Sequence, residues 1–389
     1  MIKNKSLRKM ARIGLSSCLI FFQFACQNQV NAQTSPDDSP PSPKNIKMAL
    51  ILDTSNSMDG LIDQAKAQLW NVVNELAKAK CDGVSPNLQI ALYQYGNDGL
   101  AAREGYIQMA QALTTDLDEI SASLFALNTN GGSEFCGQAI QTSLNQLDWD
   151  ENPEDYKVIF IAGNENFNQG SVDYKFVCGI AKEKGIIVNT IHCGDFNTGI
   201  RENWKNGADL TGGKYLSINQ NSKTEYIPSP FDKDISALND SLNTTYIYYG
   251  NNGSSKYKSM YSQDENAESY GLENKVSRSV SKSSSVYKNK NWDLVDAKKD
   301  KDFKLEEVEE STLPEKMQNM SLAEKKKYIA HQENKRNRIK TKIASLAVER
   351  QKFLDAKKKE DAKKDQLGDA LISTVREQAG KLNFSFSQS

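Results

Sequence analysis

An aspartate and two serines, Asp53, Ser55 and Ser57, stand at alternate positions in the stretch ILDTSNSM, where an apolar run gives out. A D-x-S-x-S segment offers one carboxylate and two hydroxyls, a set of oxygen donors suited to a hard cation such as Mg2+, which takes octahedral oxygens and keeps several waters. The same residue types also build tight turns, so the element that carries them decides between the two readings. In an open α/β sheet, ligands collect beyond the carboxyl ends of the strands, where the winding direction reverses. Asp53 ends what reads as a central strand, and a metal-ligating role follows for all three residues.

The elements needed to position them can be read along the chain. MALILD (48–53) reads as an apolar run of the kind found in a strand covered on both faces, with Asp53 at its end. Leu61, Ala65, Leu69, Val72, Val73 and Leu76 then recur at helical spacing. LQIALYQYG (88–96) predicts a second strand, and a helix over about 116–127 opens at Thr115 as its N-cap. NTNGGSEFCGQAI leads into another helix ending near Leu147. VIFIAG (158–163), a helix over 172–184 stopped by Gly185, IIVNTIHCG (186–194), a short helix over 201–210 and KYLSI (214–218) continue the alternation. Strands alternating with helices predict an α/β fold over 46–220, a doubly wound, mostly parallel sheet with helices on both faces, followed by a charged α-helical C-terminal region.

The flanks differ. Lys3, Lys5, Arg8, Lys9 and Arg12 precede an apolar run over 13–25, well short of the ~20 residues of a membrane span, and residues 1–32 read as an export signal cleaved after Ala32. Lipid attachment at Cys26 is the alternative, and the only membrane contact expected. The protein is thus expected outside the cytoplasm, periplasmic or secreted. Residues 33–45 read as a disordered leader, 221–250 as a helical extension and 251–312 as a linker rich in Ser, Asn and Lys. Residues 313–389 read as a charged helical hairpin or short coiled coil. Leu322, Ile329, Ile339, Ile343, Leu346 and Phe353 form its seam, which Lys325, Gln332, Arg336 and Arg350 interrupt, and Leu367, Leu371, Val375, Ala379 and Leu382 line the second helix. A net charge of -1 gives no electrostatic case for nucleic acid. Export leaves Cys81, Cys136, Cys178 and Cys193 as possible disulfide partners, with buried thiols as the alternative. Zinc is unsupported, because there is no C-x-x-C pair and His192 and His331 lie far apart.

DTSNS after a buried strand, GGSEF before a helix and the late DLTGGKY resemble the von Willebrand factor A-type domain, and the element order over 46–218 matches it. The resemblance implies a metal-ion-dependent adhesion site. Asp53, Ser55 and Ser57 would hold Mg2+ (or Mn2+ or Ca2+), Ser133 would stand where the family usually has threonine, and a protein partner would complete the ion's shell with an acidic side chain. One part of the family pattern is missing: the fourth strand normally ends in T-D-G, whereas this chain reads Ala162-Gly163-Asn164-Glu165, with Gly163 in place of the aspartate. A carboxylate lost about 4 Å from a cation forfeits up to ~4 kcal/mol per unit charge at an effective dielectric near 20, and a weak site results. Glu165, two residues beyond the strand end, is the first candidate to restore the charge. Asp98 and Glu134 could restore it too if their loops fold inward, but they read rather as solvated loop acids, and His192 as a core residue.

No phosphate-cradling glycine motif and no nucleophile elbow is present. The expected function is non-enzymatic protein binding through the cation. The alternatives are a metal-free envelope scaffold acting through the helical tail and a metal-assisted hydrolase relying on Glu165 or His192 as base.

Overall fold

The computed structural model describes residues 43–222, 226–360 and 367–386, all within one unit, Pro41–Ser389. The expected signal segment 1–32, Cys26 and all but the end of the leader lie outside the described residues. In chain order the first elements are β1 (Asn45–Asp53), α1 (Asp59–Leu76), β2 (Ala79–Lys80), β3 (Asn87–Tyr95), β4 (Ile107–Thr114), α2 (Leu117–Phe125) and α3 (Cys136–Gln146). β5 (Tyr156–Gly163), α4 (Tyr174–Glu183), β6 (Ile186–Cys193), α5 (Phe196–Arg201), α6 (Trp204–Asp209) and β7 (Tyr215–Ile218) complete the sheet region. α7 (Asp232–Asn243), α8 (Gly253–Ser269), α9 (Leu272–Ser283), α10 (Leu294–Ala297), α11 (Glu315–Gln318), α12 (Leu322–Glu360), α13 (Leu367–Gly380) and β8 (Ser385–Phe386) follow.

Six strands form one sheet in the order β4-β3-β1-β5-β6-β7, parallel throughout except for β4, which pairs antiparallel to β3 at the edge. β1 lies between β3 and β5, so the winding reverses beside it, and Asp53 and Gly163 end neighbouring strands at that crevice. Alternate residues of each strand face opposite sides. Met48 and Leu52 enter one apolar cluster with α1 and α2, while Ala49 and Ile51 enter a second cluster with α3, α4 and Trp204. α2 is capped by Asp116 rather than Thr115: its carboxylate accepts from the N–H groups of Asp118 and Glu119.

α1 is buried nearly all round, because a second layer of helices covers its outer side. The expected linker over 251–312 is here replaced by helices: α9 packs on α1 and α7, and α8 on α2 and α9. Its low apolar content does not prevent burial, since α9 turns inward Asn274, Ser277, Arg278, Ser281 and Lys282, and the side chains of Asn274, Arg278, Ser281 and Lys282 donate hydrogen bonds there. Ser281 Oγ donates to Asn74 Oδ1 (2.7 Å) and Asn74 returns a bond to the Ser277 carbonyl (2.8 Å), so small side chains let α9 approach α1 closely.

The expected hairpin of the two C-terminal helices is also replaced. α12 packs on α7, α9 and α10, whereas α13 packs on α1. The polar residues that interrupt the expected seam are the ones that dock it: Arg336 is buried against Asp293 (2.5 Å) and stacks on Tyr246, and Arg350 pairs with Asp232 (2.7 Å). α13 buries Leu367, Leu371, Val375 and Ala379. Beside them Gln378 bonds Tyr156 (2.8 Å) and Asn189 (2.7 Å) from under the sheet. β8 then pairs antiparallel with β2. A small apolar cavity of ≈ 30 Å³ remains between Leu52, Val73, Phe160, Leu367 and Leu371.

Cys81, Cys136, Cys178 and Cys193 are all free and buried, so the possible disulfides give way to four separate thiols packed in the core. Among the described residues, no helix is long and apolar enough to cross a membrane.

Candidate metal site

Where β1 ends, the chain turns toward α1 and is tied to its neighbours by backbone bonds. Thr54 donates to the Tyr95 carbonyl (2.8 Å) and its own carbonyl accepts from Asn130 (2.9 Å). These bonds hold three loops together at the carboxyl edge of the sheet. Asp53 is fully buried, and its Oδ1 accepts the Ser55 N–H (2.7 Å), which turns the backbone so that the two serine side chains stand side by side. Ser55 Oγ and Ser57 Oγ are 3.3 Å apart, and the Asn164 amide donates to Ser57 Oγ (3.1 Å). Asp53, Ser55 and Ser57 are thus brought together as the spacing predicts. Ser133 is half-buried in the loop before α3.

The acids sort differently from expectation. Glu165 is exposed and its carboxylate accepts from Gln169 (3.3 Å), so the first candidate to restore the charge faces solvent. Asp98 is exposed as expected. Glu134, expected to be solvated, is only 6% exposed and stands against Asp53. Two glycines bring it there. A Cβ on Gly132 would lie 2.7 Å from the Gly96 carbonyl, and a Cβ on Gly96, whose φ is +74°, would lie 2.7 Å from Asp53 Oδ1 and 2.8 Å from Glu134 Cγ. Glu134 was a candidate on the condition that its loop folds inward, but it ranked below Glu165, because nothing in the spacing aims its side chain inward.

Asp53 Oδ2 and Glu134 Oε2 are buried without any hydrogen-bond partner, as is Asn164 Oδ1. Buried unpaired acceptors are rare and costly, and an ion or ordered water is the usual partner for them. The donor set, two carboxylates with hydroxyls and an amide oxygen beside them, fits a hard divalent cation. Among the described residues, no group of three or more His, Cys, Asp and Glu is placed to hold a metal, so an ion here would draw on hydroxyl and amide oxygens beside the two carboxylates. His192 is buried against Trp204, and burial lowers its proton affinity.

Burial pushes Asp53 up to about 6, held back by hydrogen bonding with Glu134 and Ser55, and burial together with the Asp53 charge pushes Glu134 up to about 9. Both folded values lie above the unfolded ones. Protonation therefore stabilises the ion-free protein fully at low pH, and that stability is lost as pH rises through the folded values. The expected result is a melting temperature of chelator-treated protein that falls between about pH 5 and about pH 9, with added Mg2+ restoring more of it at the upper end. Calorimetric scans with and without Mg2+ check this, and a flat ion-free profile would contradict the arrangement.

Residues 48–205 match the family described as von Willebrand factor type A domain. No curated protein matches the chain. Among solved structures it is similar to the conserved hypothetical protein BatB from Bacteroides thetaiotaomicron, at 16% identity and a TM-score of 0.35, over 45% of this chain and 90% of that one. It is also similar to the SpRpn10 VWA domain, at 15% identity and a TM-score of 0.33, over 45% and 88% of the two chains. For the pilus adhesin SpaC from Lactobacillus rhamnosus GG, in its open conformation, the values are 14% identity and a TM-score of 0.36, over 46% and 28%. The match to the family, over strands and loops in the expected order, identifies residues 48–205 of this chain as a von Willebrand factor type A domain.

Proposed function

We propose that this chain is an exported, non-enzymatic protein-binding module, in which Asp53, Ser55, Ser57 and Ser133 hold a divalent cation, Mg2+, Mn2+ or Ca2+, that takes an acidic side chain from a protein partner. The observation that carries the reading is the fully buried, unpartnered Asp53 Oδ2 beside the aligned hydroxyls of Ser55 and Ser57. The cation would supply a positive centre for the partner's carboxylate. The chain's own part is to fix the oxygens and keep one side of the ion open to solvent, where Ser57 is exposed. Export rests on the basic and apolar residues of 1–32.

A metal-free scaffold acting through its tail would need that tail to be available. Its apolar residues Ile329, Ile343, Leu371 and Val375 are buried within the fold, which favours the cation reading.

Titrating MgCl2 or MnCl2 into the full chain in a calorimeter is expected to give binding in the ~10⁻⁴–10⁻³ M range known for extracellular sites. Asp53→Ala should abolish it, and chelation should release a captured partner. Absence of heat up to about ten millimolar, well beyond that range, would overturn the proposal.

A further inference from the structure

We infer that Glu134 supplies the second carboxylate to the ion at Asp53, taking over from the strand-end position that Gly163 leaves bare. The inference rests on the proposed cation at Asp53 and names how that site is completed.

Position 163 has no room for a side chain. A Cβ there would lie 2.3 Å from Tyr95 Oη and 3.1 Å from Asp53 Oδ2. The tyrosine is held in that space: its hydroxyl donates to the Ala162 carbonyl (3.1 Å) and touches Cys136 Sγ (3.5 Å). The glycine on β5 and the tyrosine on β3 therefore belong together, and a carboxylate cannot enter from β5 while Tyr95 stays.

On the opposite side of Asp53 the space has been opened instead. Gly96 lacks the Cβ that would meet both Asp53 Oδ1 and Glu134 Cγ, and it adopts a left-handed backbone conformation that favours glycine on its own account. Gly132 lets its loop settle on the Gly96 carbonyl and carries the next acid inward. The outcome is two carboxylates, each more than nine-tenths buried, each with one oxygen that has no hydrogen-bond partner among the described residues. A solvated loop acid would not be placed so, and among the described residues no lysine or arginine forms an ion pair with either group. A divalent cation is the partner whose charge matches two facing carboxylates. Glu165, nearer the bare position in sequence, has its charge in solvent and a bond to Gln169.

The test is calorimetric titration of MnCl2 and of MgCl2 into the full chain and into Asp53→Ala, Glu134→Gln and Glu165→Gln. Glu134→Gln keeps the shape and removes the charge, and it is expected to weaken cation binding by about 10- to 100-fold. Glu165→Gln should change it by less than about threefold, the weight of a solvent-screened charge. Removing a buried acid that must hold a proton to fold should also raise the ion-free melting temperature of Glu134→Gln near pH 8, a readout that needs no partner. Should that variant fail to fold, Glu134→Asp, which withdraws the carboxylate by one methylene, provides the same comparison. Wild-type affinity in Glu134→Gln together with loss in Asp53→Ala would overturn the inference and leave the proposed function standing. Absence of binding in the wild-type chain would overturn both.

Discussion

Truncation after residue 366 is expected to lower the urea midpoint of the whole sheet region, to the point that the shortened chain is largely unfolded without denaturant. α13 contributes Leu367, Leu371, Val375 and Ala379 to the same apolar cluster as Met48 and Leu52. Emptying a buried leucine site alone costs about 2–5 kcal/mol. Loss of Gln378 also strands the Tyr156 hydroxyl and the Asn189 amide under the sheet, at about 1–3 kcal/mol for each buried group left unpaired. Together these approach the ~5–15 kcal/mol by which a typical domain is stable. Circular dichroism across a urea series measures the effect, and Leu371→Ala should show a graded version of it. An unchanged midpoint in the truncated chain would mean that α13 merely rests on the surface. A fragment covering only 46–220 is expected to fail for the same reason, because the domain is closed by residues far outside that range.

Arg278→Ala is expected to destabilise the protein by about 3–5 kcal/mol, the usual cost of removing one member of a buried ion pair. The guanidinium is fully buried, bonds Asp264 (2.5 Å) and Asp118 (2.8 Å), donates to the Met260 carbonyl (2.9 Å) and lies over the Trp70 ring. It thereby joins α9 and α8 to α2 and α1. Burial alone would raise the Asp264 carboxyl, but Arg278 and Lys282 beside it hold it well below the ordinary carboxylate range. Without the arginine, Asp118 and part of the Asp264 charge would be left dry and uncompensated. The double variant with Asp118→Asn should lose less than the sum of its parts, since the two share one interaction. Little salt dependence is expected, because ions do not reach a buried pair. A loss of under about 1 kcal/mol, the worth of an exposed pair, would show that this contact is solvated.

The sheet region was legible because its strands are covered on both sides and so spell continuous apolar runs, as in 158–163. β4 was not, since it is an edge strand with Gln108, Met109 and Gln111 partly or fully open to water. The helices of 253–283 were missed for a different reason. Hydrophobic periodicity finds apolar stripes, and α9 buries serines, an asparagine, an arginine and a lysine instead. A hint lay elsewhere: Ile62 and Trp70 fall outside the inward stripe of α1 and required a cover of their own. At the site, Asp53, Ser55 and Ser57 were legible because a turn after a strand fixes where short side chains point. Glu134 could be named but not chosen over Glu165, because its direction depends on two glycines in separate loops, Gly96 and Gly132, meeting across the edge of the sheet.

The return of the C-terminal segment has a consequence for when the molecule becomes competent. The Leu367 N–H bonds Gln64, 303 positions earlier in the chain, and the Lys80 strand waits for Ser385. Closing so long a loop must precede the contacts that reward it, which slows folding. Leu52 and Ala162, the residues immediately before Asp53 and Gly163, line the cavity that Leu367 and Leu371 seal. The floor beneath the candidate site is therefore closed by the C-terminal segment. A chain that already displays the whole D-x-S-x-S loop is expected to lack the rigidity to grip an ion until residues 367–386 have docked beneath it.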